Sequence, residues 1–272
     1  MPVLKLKNQK KDVGKMEICN QTETSADLNI LGDIVSDGWG KWSDDDTCPS
    51  DVSEFLKNLE GVQEINLHIN SGGGSVFAGI AIYNMLKRNN AKITTYIDGI
   101  AASIASVIAC AGDRIIIPAN GTFMIHKPTN GYFLESLNAD QLRKDADTLD
   151  TCQKAILQTY MSKAKEGVTE EMINNLINEE TWMVGNDTTN YFEFEVEEGV
   201  QAVACTSNYF NGYSKTPQNL KKQDTSDGSF LDIDAIADAV IKKMKAEEDE
   251  RKSREEEKIK NELLEDLDLY GV

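Results

Sequence analysis

One arrangement occurs twice in succession between residues 64 and 118, and it restricts the fold of this chain more than any other feature. "EINLHIN" sets Ile65, Leu67 and Ile69 against Asn66, His68 and Asn70, which is the period of a strand with one buried face. The strand closes in a glycine turn, "SGGGS". From Ser75, a suitable helix N-cap, "SVFAGIAIYNMLKRNN" predicts a helix with Val76, Ile80, Tyr83 and Leu86 on one face. The second round runs "KITTYID" as strand, "GIAAS" as turn and "IASVIACAG" as a buried helix. Two short strands, "RIIIPA" and "GTFMIH", follow. Repeats of this kind build an α/β domain of parallel strands whose turns gather at the carboxyl ends, where sites form.

Two further helices are predicted. The first is long and amphipathic, from Asn138 to about Lys165, with Leu142, Ala146, Leu149, Ile156 and Tyr160 at helical spacing. The second opens at Thr169, with Glu170 and Glu171 in a first turn where negative charge is favoured. Beyond Cys205 the composition turns polar and rich in turn formers, so residues 206–230 read as a linker. In the tail, 231–272, Ile233, Ile236, Val240, Ile241 and Met244 form a narrow stripe on a charged helix suited to assembly or interaction.

At 272 residues the chain has room for one catalytic core with appendages. Its 46 acidic against 28 basic residues, a net charge of −18, argue against nucleic acid or an anionic membrane as the main partner. Five cysteines without a CxxC pair indicate neither a zinc site nor a disulfide framework, and fit a reducing cytoplasm. No export signal and no membrane span is expected, and no cofactor or metal is implied.

"GIAASIAS" places Ser103 where a strand hands over to a helix. Small residues there also serve simple helix–sheet packing. Catalysis by a serine needs a base for its proton and donors for the developing oxyanion. Of the two histidines, His68 alternates with the apolar residues of its strand and reads as structural. His126, in "FMIHKP", stands at a strand end before Pro128 and projects toward the same sheet edge as Ser103. Taken alone, a histidine in this setting is more often a structural residue than a catalyst.

The segments "INSGGGSVFAGIAIYN", "GIAASIAS" and "MIHKP", in that order and spacing, resemble the proteolytic subunit family of Clp serine peptidases. The resemblance runs from about Asn29 to Val200 and is most specific between Ile65 and Pro128. It implies a spiral of β-β-α units over a domain at 29–205, preceded by an N-terminal arm at 1–28. It puts Ser103 on the nucleophile, His126 on the general base, and Gly74 and the backbone N–H of Ile104 on the oxyanion hole. Aligning Trp182 with the family's aromatic residue puts Glu180 on the acid position, where the family has aspartate; Glu179 and Asp187 remain alternatives. The family's "SPGG" reads "SGGG" here. The wording of "VFAG.AIYNMLKR" and insertions such as "SDGWGKWSDDDTCPSD" are similar to the branch encoded by tailed phages and prophages.

That branch implies a head-maturation endopeptidase acting on capsid or scaffold proteins in the host cytoplasm or the prohead. It also implies a homo-oligomeric ring, of seven subunits by resemblance, with a portal or unfoldase contact left open. Two other readings compete. A crotonase-like acyl-CoA hydratase or hydrolase shares the spiral fold and would place acidic residues, rather than Ser103 and His126, at its reaction centre. A capsid-assembly protein could also retain the fold without the activity.

Overall fold

The computed structural model describes residues 24–59, 61–132 and 136–220. Most of the expected arm at 1–28, the end of the expected linker and the whole tail at 231–272 lie outside the described residues.

Five parallel strands form the main sheet: β1 (Ser25–Ile34), β2 (Glu64–Gly74), β3 (Lys92–Ala102), β4 (Arg114–Pro118) and β7 (Glu195–Glu197), in the order β1-β2-β3-β4-β7. The strand from "EINLHIN" does not stop at its apolar run. It continues through all three glycines to Gly74. Alternation fixes the register, because Ile65, Leu67 and Ile69 of β2 and Ile93, Thr95 and Ile97 of β3 all turn to the buried side. Helices α1 (Pro49–Lys57), α2 (Val76–Lys87) and α3 (Ile104–Ala109) follow β1, β2 and β3, so the result is the expected α/β fold with a mainly parallel sheet.

The carboxyl half of β3 pairs with a different strand. β4 meets β3 only at Thr94–Tyr96, whereas β5 (Thr122–Ile125) takes over at Ile100–Ala102. The short β6 (Thr181–Val184), which leads into α6 (Gly185–Thr188), then pairs with β5 in the antiparallel sense. The end of β5 and the start of β6 are thereby brought to the same sheet edge as the end of β3.

The buried face of α2 differs from the one the apolar pattern predicts. Ala78, Gly79, Ile82 and Leu86 are buried, while Val76, Ile80 and Tyr83 pack only partly against the core. Size explains the rotation: a Cβ at Gly79 would collide with the side chain of Ile104, so the small residues form the close face against α3. Helix α4 (Ala139–Met161) covers most of the predicted span, and α5 (Glu170–Asn178) is capped by Thr169, whose side chain accepts from the N–H of Met172. Only the second half of α4 is buried, through Cys152, Ile156, Leu157 and Tyr160. Leu142 in its first half is 48% exposed.

The segment 206–220, expected as part of a linker, is packed on the domain. Phe210 and Tyr213 join Ile100, Ala102 and Met124 in a small second core, and Ser207 and Thr216 are also buried. The polar composition concealed two aromatic anchors. Among the described residues no helix is long and apolar enough to cross a membrane.

Candidate active site

Ser103 is the hinge between β3 and α3. Its φ of 53° and ψ of −127° lie in a region that residues with a Cβ rarely occupy, a conformation costing about 1–3 kcal/mol. The surrounding structure holds it there. Its N–H donates to the carbonyl of Met124 at 2.9 Å, and its own carbonyl accepts from the Ser106 hydroxyl at 2.5 Å. Ser106, the second serine of "GIAASIAS", is fully buried and also bonded to the Tyr160 hydroxyl at 2.6 Å. It supports the turn and is closed to substrate; Ser103 remains partly exposed.

The register brings His126 to Ser103. Ala102 pairs with Met124 in parallel strands, so the residues just beyond the two strand ends share one edge. The Ser103 Oγ and His126 Nε2 stand 2.7 Å apart. For the serine to donate, Nε2 must be the unprotonated nitrogen and Nδ1 must carry the hydrogen. Burial holds the His126 pKa below its ordinary value of 6.5, with the charge of Glu180 acting in the opposite direction.

Glu180 arrives by the antiparallel pairing. Ile125 pairs with Thr181, and one step further along that register Glu180 faces His126. The acid position has an unusual backbone, with φ 48°. Its carboxylate does not hydrogen-bond the imidazole. Oε2 accepts from the N–H of Ser214 at 2.7 Å, while Oε1 accepts from the N–H of Lys215 at 2.5 Å and from the Trp182 indole at 3.2 Å. Partial burial would raise its pKa, but these donors outweigh that and leave it below the ordinary carboxylate value. The glutamate is thus a fixed negative charge beside His126. Of the two alternatives, Glu179 pairs with the Lys215 ammonium at 3.2 Å, and Asp187 is an exposed residue of α6.

Gly73 and Gly74 have φ of 104° and 144°. The turn lies against the serine, since a Cβ at Gly73 would meet the Ser103 Cβ at 2.7 Å and the Tyr213 hydroxyl at 3.0 Å. Gly74 has no room for a side chain because the Ile34 carbonyl occupies that position. Ile104 is the first residue of α3, so its N–H has no acceptor within the helix. Of the two residues expected to supply oxyanion donors, Ile104 follows Ser103 directly, and Gly74 is the neighbour of Gly73, the glycine that lies against the serine. Among the described residues no group of three or more His, Cys, Asp or Glu side chains is arranged to hold a metal ion.

His68 is elsewhere. It bonds Asp98 through Nδ1 at 3.0 Å and stacks on Tyr96, in agreement with its structural reading. Tyr213 lay outside the sequence-based reading altogether. Its ring packs edge-on to His126 with centroids 4.8 Å apart, and its hydroxyl donates to the carbonyl of Gly72 at 2.6 Å. Only the aromatic cluster of "NYFNGY" inside an otherwise polar stretch could have drawn attention to it.

Comparison with known proteins gives a consistent picture. The family model described as "Clp protease" matches residues 46–192. The ATP-dependent Clp protease proteolytic subunit of Ligilactobacillus salivarius is 33% identical over 140 residues, covering 50% of this chain and 68% of that protein. ATP-dependent Clp protease proteolytic subunit 1 of Chlamydia abortus is 33% identical over 140 residues, covering 50% and 71%. The corresponding subunit 1 of Chlamydia muridarum is 33% identical over 149 residues, covering 54% and 74%.

Proposed function

Because this chain belongs to the Clp protease family, we propose that it hydrolyses peptide bonds with Ser103 as nucleophile and His126 as general base. The observation that carries the reading is the 2.7 Å contact between Ser103 Oγ and His126 Nε2, made by a serine held in a strained backbone conformation at a strand–helix turn.

In this mechanism Ser103 Oγ attacks the scissile carbonyl carbon as its proton passes to His126 Nε2. The carbonyl oxygen becomes an oxyanion facing the N–H groups of Gly74 and Ile104. Collapse breaks the C–N bond, and His126 returns the proton to the leaving amine. Water then repeats the sequence on the acyl-enzyme, regenerating Ser103. Glu180, fixed by three donors, stabilises the imidazolium through its charge. A crotonase-like reaction required acidic residues in place of this pair, whereas a serine–histidine hydrogen bond stands there.

A fluorophosphonate probe tests the reading. It should label Ser103 in the native protein and fail to label heat-denatured protein; a native protein that takes up no probe would refute the assignment.

The wider reading is an endopeptidase that matures a phage head, acting on capsid or scaffold protein as a homo-oligomeric ring of seven subunits. The support is the phage-like wording of the sequence and the first half of α4, which carries no buried residue and exposes Leu142, as a helix awaiting a neighbouring subunit would. The assembly should appear in light scattering as a mass several times the 30.2 kDa protomer. Incubation with capsid precursor should give a new N-terminus. A monomer that leaves the precursor intact would remove this part of the reading.

The base works only when neutral, and His126 has a pKa below 6.5. The acid limb of kcat/KM should therefore fall below pH 6.5, with rate rising as pH rises through it. In Glu180→Gln the opposing charge is lost, so the limb should move lower still, and kcat should fall about 10- to 100-fold. A limb above 6.5 in the unmodified protein would contradict the burial argument.

A further inference from the structure

The segment from Val203 to Thr216 runs over the edge where Ser103, His126 and Glu180 meet, and the domain is shaped to receive it. At its start, the Val203 N–H donates to the Asp98 carbonyl, and the Asn70 side chain donates to the Ala204 carbonyl while accepting from the Ile100 N–H. Ser207 follows, its hydroxyl bonded to the buried Asp33 at 2.5 Å. Phe210 fills the small second core, and the Thr216 hydroxyl closes the loop on the Phe210 carbonyl at 2.6 Å.

Two glycines show that this seat is specific. A Cβ at Gly99 would collide with the Val203 carbonyl, and one at Gly72 would collide with the Cβ and Oγ of Ser207. Neither glycine has a positive φ, so what the positions need is room. The space left at Gly72 and Gly99 is filled by the segment itself. Gly72 is also the position where the resemblance leads one to expect proline.

The same segment also contacts the site itself. The Tyr213 ring lies edge-on to His126 at 4.8 Å, and its hydroxyl bonds the carbonyl of Gly72, two residues before Gly74. The next two residues, Ser214 and Lys215, give their N–H groups to the Glu180 carboxylate. One short stretch thus contacts the base, the acid and the glycine turn. Ser103 stays partly exposed beneath it, so the segment does not seal the nucleophile.

We infer that residues 203–216 are a strap belonging to the catalytic apparatus, in which Tyr213 is a positioning residue for His126 and for the glycine turn, and Ser214 and Lys215 hold Glu180 in place. The inference rests on the serine-peptidase reading above. Its physical content is preorganisation: without the strap the imidazole gains water and rotational freedom, and the turn loses an anchor. Misplacement of catalytic groups by about 1 Å costs on the order of 100-fold in rate.

Full-length Tyr213→Ala and Tyr213→Phe, compared with the unmodified protein, test it. Measurements are kcat and KM on a short peptide ester, the rate of fluorophosphonate labelling at Ser103, and the acid limb of the pH profile. Tyr213→Ala should lower kcat and the labelling rate about 30- to 100-fold with KM changed less than about threefold. Its acid limb should move up toward the ordinary histidine value, because the ring that buries His126 is gone. Tyr213→Phe keeps the ring and loses the hydroxyl, with its bond to Gly72 and its interaction with Ser103; its limb should stay in place while kcat falls about 3- to 10-fold.

Wild-type kcat in both variants would overturn the inference. So would faster labelling in Tyr213→Ala, since the segment would then be an obstruction rather than a support. If Tyr213→Ala fails to fold, Tyr213→Phe decides, with an unchanged kcat overturning the proposal. Failure of the underlying reading looks different: the unmodified protein itself would neither hydrolyse the ester nor take up the probe.

Discussion

Ser103→Ala and His126→Ala are each expected to lower peptide hydrolysis by on the order of 10⁴-fold or more, and the double variant to be hardly worse than either alone. Members of a serine–histidine pair act as a unit: without the hydroxyl there is no acyl-enzyme, and without Nε2 the hydroxyl proton has nowhere to go. The residual rate would come from the oxyanion donors and substrate binding. Stability should separate the two variants. Ser103→Ala keeps the strained φ and loses one atom at a partly exposed position, so its melting temperature should remain close to that of the parent. His126→Ala leaves a space under the Tyr213 ring and should cost about 1–3 kcal/mol. Progress curves with a fluorogenic peptide, run beside thermal melts, give both quantities. Near-parental turnover in a well-folded His126→Ala would mean that the base lies elsewhere.

Gly74→Ala should be the most damaging single methyl group in the domain. At φ 144° a Cβ is strained, and it would be driven into the Ile34 carbonyl, a backbone atom of the neighbouring strand that cannot rotate away. The strand end must shift, costing about 2–4 kcal/mol, and the shift occurs at the residue proposed as an oxyanion donor. Loss of one such donor costs about 10²- to 10³-fold in kcat. Gly199→Ala is the control, because Gly199 also has a positive φ, 80°, with nothing near where its Cβ would stand. It should lose about 1 kcal/mol or less and no activity. If Gly74→Ala hydrolysed peptide within about threefold of the parent, the oxyanion role of this turn would have to be abandoned.

The parts of the site most legible in the sequence are those that stand at the ends of periodic runs. Alternation marks the strands ending at Ala102 and Ile125, so Ser103 and His126 could be placed at one sheet edge without knowing how β5 pairs. Glu180 was reachable only by aligning Trp182, since a carboxylate after a helix has no pattern of its own. The face of α2 was misjudged because Ala78 and Gly79 carry little apolar weight, although their smallness decides which side approaches α3. Least visible was the strap. Its bonds to the sheet include pairs 134 and 174 positions apart, Asn70 to Ala204 and Asp33 to Ser207, and no local period encodes a contact of that range. Polar composition then made a packed segment read as a linker.

Gly72 and Ser207 have an implication for how such a chain changes over generations. The two occupy one volume: a side chain at 72 is tolerable only if the strap is displaced, and a displaced strap releases its hold on Asp33, Gly72 and Glu180 together. Position 72 is not free to gain a side chain while Ser207 stays where it is. A lineage carrying the strap is therefore committed to glycine at this turn, and one with a bulkier residue there can acquire the strap only by first vacating the position. The historical order of substitutions, and not only their sum, is constrained by a single missing methyl group.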